Sequence, residues 1–253
     1  MSSLHVHEYG NPAGPPLVLV HGLTDDGTCW PDAVARWGVR YRILAVDQRG
    51  HGRSPGFSDE QFERVPDVMR DDLADVLSGL ARPALVVGHS LGGLMAARVA
   101  QAYPELVARL VLEDPAKPRP HWSPANGEFS RQQLTFVDAV TQDPDGEFAR
   151  MLQETPWTET ELQPWAASKA RVDRDYLRRG LYLGETAWEE MFTALTVPTL
   201  VVVPVDGEMA PDPELINNDL VQIVAIPDAG HCVRRDNPEG FHRVVDAFLA
   251  AVS

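Results

Sequence analysis

The residues that could do chemistry in this chain begin with a serine between glycines. Gly88-His89-Ser90-Leu91-Gly92 fits the pattern G-x-S-x-G, preceded by the apolar run ALVV and followed by a helix-like stretch, LMAARVA. A serine at a sharp strand-to-helix turn has its hydroxyl lifted above a sheet. The residues two before and two after it must be small, or the crossing strand and helix would clash. The helix starting at Leu91 would aim its first N–H groups at the same spot, which favours developing negative charge.

A serine hydroxyl is a weak nucleophile without a base. Of eight histidines, His231 is the candidate. It follows the last expected strand and precedes the last expected helix, so it lies at the sheet edge from which Ser90 emerges. His89 is expected to point away from the turn, and His21 precedes the glycine of another turn. His51, His121 and His242 stand in loop or helix contexts that need no function. His5 and His7 could share a strand face, but two ligands make no metal site. For the carboxylate that would orient His231, the residues leave Asp114, Asp206, Glu113 and Glu208 open, since all should lie near one edge. An oxyanion needs two N–H donors aimed at one point. Leu91 supplies one, and Leu23, after His21-Gly22, is the natural second.

The elements that must position these residues are legible as short apolar runs at 16–20, 41–46, 84–87, 110–112, 199–203 and 222–226. Runs apolar on both faces read as buried parallel strands. Helical patterns lie between them, at 65–80 and after Asn237, a plausible N-cap with Pro238 at the first helical position. Strands alternating with helices predict an α/β fold with a mainly parallel sheet flanked by helices. From 115 to 197 no convincing strand occurs, although FSRQQLTFVDAV and DYLRRGLYL look helical. That stretch predicts a helical cap over one sheet edge, giving a core of 1–114 and 198–253 and a cap of 115–197.

At 253 residues the chain buries enough surface to need no disulfide or metal staple. A formal net charge of −15 disfavours nucleic acid and anionic membrane as partners. Two cysteines, Cys29 and Cys232, are far apart and are expected to be free thiols in a reducing, cytoplasmic setting, with Cys232 filling space. The start, MSSLHVHEYG, lacks a basic segment followed by an apolar core, and no run approaches the ~20 apolar residues of a membrane span.

With HGLTDDG, DQRGHGRS, GHSLGG, LVLEDP and AGH in order along nearly the whole length, the chain resembles the α/β-hydrolase superfamily, in its serine hydrolase branch. The resemblance implies the α/β-hydrolase fold, with the cap inserted after the sixth core strand, and it implies a structural turn at 47–54. It also maps an oxyanion donor onto Leu23 and leaves no need for a cofactor or metal. Serine at the elbow argues against the haloalkane dehalogenase and epoxide hydrolase branches. The family's usual acid position reads PVDGE here, a departure from G-x-x-D; some branches carry the acid one strand earlier, which makes Asp114 the first choice and Asp206 the alternative. The expected function is acyl transfer on a small or medium apolar ester, lactone or thioester, since Trp122, Trp157, Trp165, Trp188, Phe129, Phe136, Phe148 and Phe192 favour apolar contact. C–C bond hydrolases, amidases and perhydrolases share the same residues. A small-molecule receptor with little turnover is the reading from another class.

Overall fold

Apolar runs with no polar face are the reason the sheet is central. In the computed structural model, which describes residues 4–118 and 127–251, PLVLV forms strand β2 (Pro16–Val20), and every residue of it is buried. Its side chains alternate between two cores. Val18 and Val20 join one core with Val86, Leu110 and Leu112, while Leu17 and Leu19 join the other with Val87, Val111 and Leu200. Each fully buried leucine or valine contributes about 1.5–3 kcal/mol, so both faces of the strand must be covered by helices.

The remaining strands are β1 (Val6–Gly10), β3 (Arg42–Val46), β4 (Ala84–His89), β5 (Val107–Glu113), β6 (Thr199–Pro204) and β7 (Val221–Ile226). They form one sheet in the order β1-β3-β2-β4-β5-β6-β7. Only β1 runs antiparallel, paired with β3. The other five pairings are parallel. All six expected runs became strands, extended by one to three residues at several ends. Strand β1 was not among them, because VHEYG carries the alternating pattern of a half-exposed edge.

Helices α2 (Val65–Ser78) and α3 (Leu91–Ala102) cover one face, burying Met69, Leu73, Leu77, Leu94 and Met95. Helices α1 (Pro31–Trp37) and α10 (Pro238–Ala250) cover the other with Trp30, Trp37, Phe241 and Val245. Helix α10 starts as its sequence dictates, with Pro238 in the first turn and the Asn237 side chain accepting the Gly240 N–H at 2.8 Å. A short helix, α9 (Val233–Asp236), precedes it.

Between β5 and β6 the described residues form helices and connections only: α4 (Glu128–Gln142), α5 (Pro144–Glu154), α6 (Glu159–Ser168), α7 (Arg174–Arg179) and α8 (Trp188–Thr193). Two expectations need correction. The segment follows the fifth strand of this chain rather than a sixth, because one antiparallel strand, β1, precedes β2 among the described residues. The helix expected through DYLRRGLYL stops at Arg179, where Gly180 caps it.

Sheet and helices meet most tightly at Gly92, in the first turn of α3. A Cβ there would collide with the carbonyl oxygens of Val20 and His21 at the end of β2, and a Cβ at Gly88 would come 2.6 Å from the Gly92 carbonyl. Backbone cannot step aside as a flexible side chain can. Gly92→Ala is therefore expected to destabilise the fold by more than about 3 kcal/mol in urea titration. A loss under 1 kcal/mol would mean the strand and helix can separate at little cost.

Candidate active site

Ser90 sits between β4 and α3 with φ 49° and ψ −116°, a left-handed conformation that a non-glycine residue rarely adopts. Its backbone is held from three sides. The Ser90 N–H donates to the Glu113 carbonyl at 2.9 Å, and the Ser90 carbonyl accepts the N–H groups of Leu94 at 3.0 Å and Ala116 at 2.9 Å. The side chain makes no helix-capping hydrogen bond. The turn thus fixes the hydroxyl by backbone contacts and leaves the oxygen for chemistry.

Ser90, Leu91, Leu23, His89, Asp114 and His231 all line one cavity of about 900 Å³ at the C-terminal edge of the parallel strands. His231 Nδ1 lies 2.7 Å from Asp114 Oδ2. Asp114 is almost fully buried, whereas the His231 ring is partly open to the cavity. A carboxylate can only accept, so this contact puts the proton on Nδ1 and leaves Nε2 to accept another. Asp206 and Glu208 also line the cavity, exposed at its mouth, but the carboxylate that meets His231 is Asp114. The Glu113 side chain turns elsewhere, accepting the Arg234 N–H at 2.6 Å, and burial raises its carboxyl above the ordinary range. The Leu91 N–H, first in α3, has no intrahelical acceptor. Leu23 sits on the turn after β2, across the cavity wall.

His89 does not simply point away. Its Nε2 lies 3.0 Å from the His231 carbonyl, and the two rings are 4.8 Å apart. Burial first, then the neighbouring His231 and Arg235, hold it well below the ordinary histidine range, so it is a neutral prop for the His231 loop. His21 and His51 are buried in the turns beside it, and His242 packs on Trp37. His121 and Trp122 lie outside the described residues, as do Pro120 and Pro124.

His5 and His7 gain a third neighbour in Asp47, with candidate ligand atoms within 4.8 Å of one another. Asp47 is already employed there. Its Oδ1 accepts the Gly27 N–H at 2.7 Å and lies 3.0 Å from His7 Nε2, while its Oδ2 accepts the Arg53 N–H at 2.8 Å. Those bonds give a structural reason for the cluster, and DQRGHGRS is a turn built around that carboxylate.

Of the aromatics expected to face substrate, Phe129, Phe136 and Trp165 line the cavity, joined by Tyr176, Leu181 and Leu183. Trp188 and Phe192 instead pack against α3 and the sheet, and Trp157 packs on Trp165. Cys29 and Cys232 are free thiols. Cys232 lines the cavity beside His231, where burial pushes its thiol up to about 12, so it is not a thiolate near neutrality.

Sequence reasoning missed the buried charges in and behind the cavity wall, of which Asp25 and Arg235 line the cavity. Asp25, Glu161, Lys169, Arg234 and Arg235 are all buried. The signal available was the density of charge beside two of the candidate-site turns, in HGLTDD and HCVRRD. All four non-glycine residues with positive φ among the described residues, Thr24, Ser90, Asp114 and Asp228, also line this one cavity.

The buried histidines make stability depend on pH. Burial lowers His51 to about 3 and His242 to about 4, and it lowers His89 as well. An unfolded histidine takes a proton near ~6.5, so below that pH the unfolded state binds more protons. The contribution is complete above about pH 6.5 and is lost as pH falls towards 4 and 3, at about 1.4 kcal/mol per unit for each fully buried residue and less for His242. Urea midpoints should therefore drop steadily from pH 6.5 to 4.5. A flat profile would contradict neutral burial.

A parallel sheet that lifts a strained serine at a strand-to-helix turn, across a cavity from a carboxylate-paired histidine, defines the architecture of an α/β hydrolase. The chain belongs to the alpha/beta hydrolase family, whose model matches residues 17–244. Its relatives are hydrolases and esterases. It is 41% identical to lipase LipV of Mycobacterium tuberculosis over 114 residues, 45% of this chain and 42% of that protein. It is 35% identical to a 2-(acetamidomethylene)succinate hydrolase of Mesorhizobium japonicum over 117 residues, 44% of this chain and 39% of that protein. Each alignment thus takes in less than half of the relative. Among solved structures, an esterase from a Rhodococcus species superposes with a TM-score of 0.72 at 25% identity, covering 100% of this chain and 96% of that one. No helix among the described residues is long and apolar enough to cross a membrane.

Proposed function

We propose that this chain is a serine hydrolase that cleaves a small or medium apolar carboxylic ester, lactone or thioester by two-step acyl transfer, with Ser90 as nucleophile, His231 as base and Asp114 as the orienting acid. The observation that carries this reading is the 2.7 Å contact between His231 Nδ1 and buried Asp114, in the same cavity as Ser90 on its strained turn. In this mechanism His231 Nε2 takes the Ser90 proton as the oxygen attacks the carbonyl carbon. The amides of Leu23 and Leu91 hold the resulting oxyanion. His231 then gives its proton to the leaving alcohol or thiol; in the second half it takes one from water as the water oxygen attacks the acyl carbon, and returns it to the Ser90 oxygen as the acyl–oxygen bond breaks, which releases the acid. The residues assigned need no metal or cofactor for these steps.

Residues 115–197 serve as the cap, on a core of 1–114 and 198–253. Phe129, Phe136, Trp165, Leu181 and Leu183 support an apolar acyl or alcohol portion, since their faces contribute chiefly by excluding water. The test is intact mass after exposure to a fluorophosphonate, wild type beside Ser90→Ala, followed by hydrolysis of a short-to-long acyl ester series. One adduct on wild type alone, with turnover, is expected. An adduct without ester turnover would move the assignment to a C–C bond, amide or perhydrolysis reaction, or to a receptor. No adduct would overturn the Ser90 assignment.

A further inference from the structure

Lys169 is fully buried, although it carries a charge. It stands behind the cavity wall, in the single helical turn that follows α6 (Lys169–Arg171). Its Nζ lies 2.6 Å from Asp25 Oδ1 and 3.1 Å from the Thr24 carbonyl, over the Trp165 ring at 4.9 Å. Ser168 Oγ lies 3.1 Å from the same Thr24 carbonyl and 2.7 Å from the Trp165 carbonyl, between which its one proton is shared, and it accepts from Lys169 Nζ at 3.2 Å. From the other side Arg235 Nη2 donates to Asp25 Oδ2 at 2.9 Å, and its Nε donates to Glu161 Oε2 at 2.9 Å. Glu161 Oε1 is taken by Arg234 Nη1. Although burial opposes it, the charges of Arg235 and Lys169 hold the Asp25 carboxyl well below the usual carboxylate range.

Burying an ammonium group costs several kcal/mol before its partners offset it, and an apolar side chain of similar volume would fill that space without the cost. Stability alone therefore does not account for Lys169. What it touches does. Thr24 is β-branched and has φ 69°, a conformation such residues hold only when their surroundings impose it. Of the groups that touch this turn, Lys169 and Ser168 of the helical segment meet the carbonyl of Thr24 itself, and Lys169 together with Arg235 of α9 meets the next side chain, Asp25. The residue just before Thr24 is Leu23.

We propose that Lys169 is a positioning residue: with Ser168 and Arg235 it holds the Leu23–Asp25 turn in the strained form that aims the Leu23 amide at the oxyanion, so the helical segment completes the catalytic site as well as covering it. The inference rests on the Ser90–His231–Asp114 reading above. It adds that docking of the helices and strength of the oxyanion hole are one event.

The full chain is compared with Lys169→Met, similar in length but uncharged, and with Ser168→Ala, a smaller change. The measurements are kcat and KM on the best ester of the series, below each variant's unfolding midpoint. Inhibition by a trifluoromethyl ketone, which presents an oxyanion, is set against the plain methyl ketone, which does not. Lys169→Met should lower kcat about 100-fold, the scale of one lost oxyanion donor, with KM within about threefold. The fluorinated inhibitor should weaken in parallel with kcat while the plain ketone does not. Ser168→Ala should show the same pattern at about fivefold. A merely structural role would lower the unfolding midpoint and leave both kcat and the inhibitor ratio at wild-type values, which overturns the proposal. If Lys169→Met does not fold, Ser168→Ala decides in the same way. Wild type that takes the fluorophosphonate and turns over, beside unaffected variants, overturns this inference alone. Wild type that does neither overturns the Ser90 reading and this inference with it.

Discussion

Ser90→Ala should lose fluorophosphonate labelling and fall by several orders of magnitude in kcat/KM on every ester that wild type accepts, while folding stability stays within about 1 kcal/mol. The two halves of that result have separate causes. Chemistry is lost because the oxygen that would bond the carbonyl carbon is gone. Stability is kept because the turn is held through the Ser90 N–H and carbonyl, to Glu113, Leu94 and Ala116, and not through its side chain. Alanine meets the same left-handed backbone and the same contacts. His231→Ala should give a comparable loss, since without a base the hydroxyl stays protonated. Near-wild-type turnover in either variant would sink the mechanism.

The carboxylate gives the second large effect. Asp114→Asn is expected to lower kcat by about 10³–10⁴-fold, because an amide can present N–H to His231 Nδ1 and so favour the wrong tautomer. Asp206→Asn should stay within about threefold of wild type, because Asp206 stands exposed at the cavity mouth while His231 is engaged by Asp114. The Asp114 variant should still fold, as its N–H donates to the Val202 carbonyl at 2.8 Å whichever side chain is present. Steady-state kinetics on one ester reads both. Equal mild losses would mean that neither carboxylate orients the base, and a reversed pattern would reinstate Asp206.

The sheet was legible because its strands are buried on both faces, and runs such as PLVLV and TLVVV have no other stable use. Strand β1 was harder to see, since an edge strand alternates and looks like any polar loop. The residues of the candidate site were nameable from the glycine spacing around Ser90 and from the place of His231 between a strand and a helix. Spacing could not choose among the carboxylates. Asp114 and Asp206 both end strands at the same edge, and which one reaches His231 depends on where a loop of that length folds back. The burial of Lys169 was hidden for a related reason, although the charge density of HGLTDD and HCVRRD hinted at its partners. Lys169 lies 144 residues from Asp25 in the chain, and nothing local marks a lysine as buried. Its partners were individually unremarkable acids and arginines.

The four non-glycine residues with left-handed backbones among the described residues follow four different strands: Thr24 after β2, Ser90 after β4, Asp114 after β5 and Asp228 after β7. A narrow conformational well gives each of them little room to shift, so the rim of the cavity is stiff, and at Ser90 and Asp114 backbone hydrogen bonds hold that shape whichever side chain is present. The opposite wall includes side chains on helices, Phe129 and Phe136 among them, which can be exchanged for others of different volume as long as Lys169 and Ser168 keep their contacts with the rim. The molecule therefore separates what must be inherited unchanged from what can drift. New preferences in this lineage are to be sought in the helices between β5 and β6, and an engineer who wants a different ligand accepted has reason to begin there.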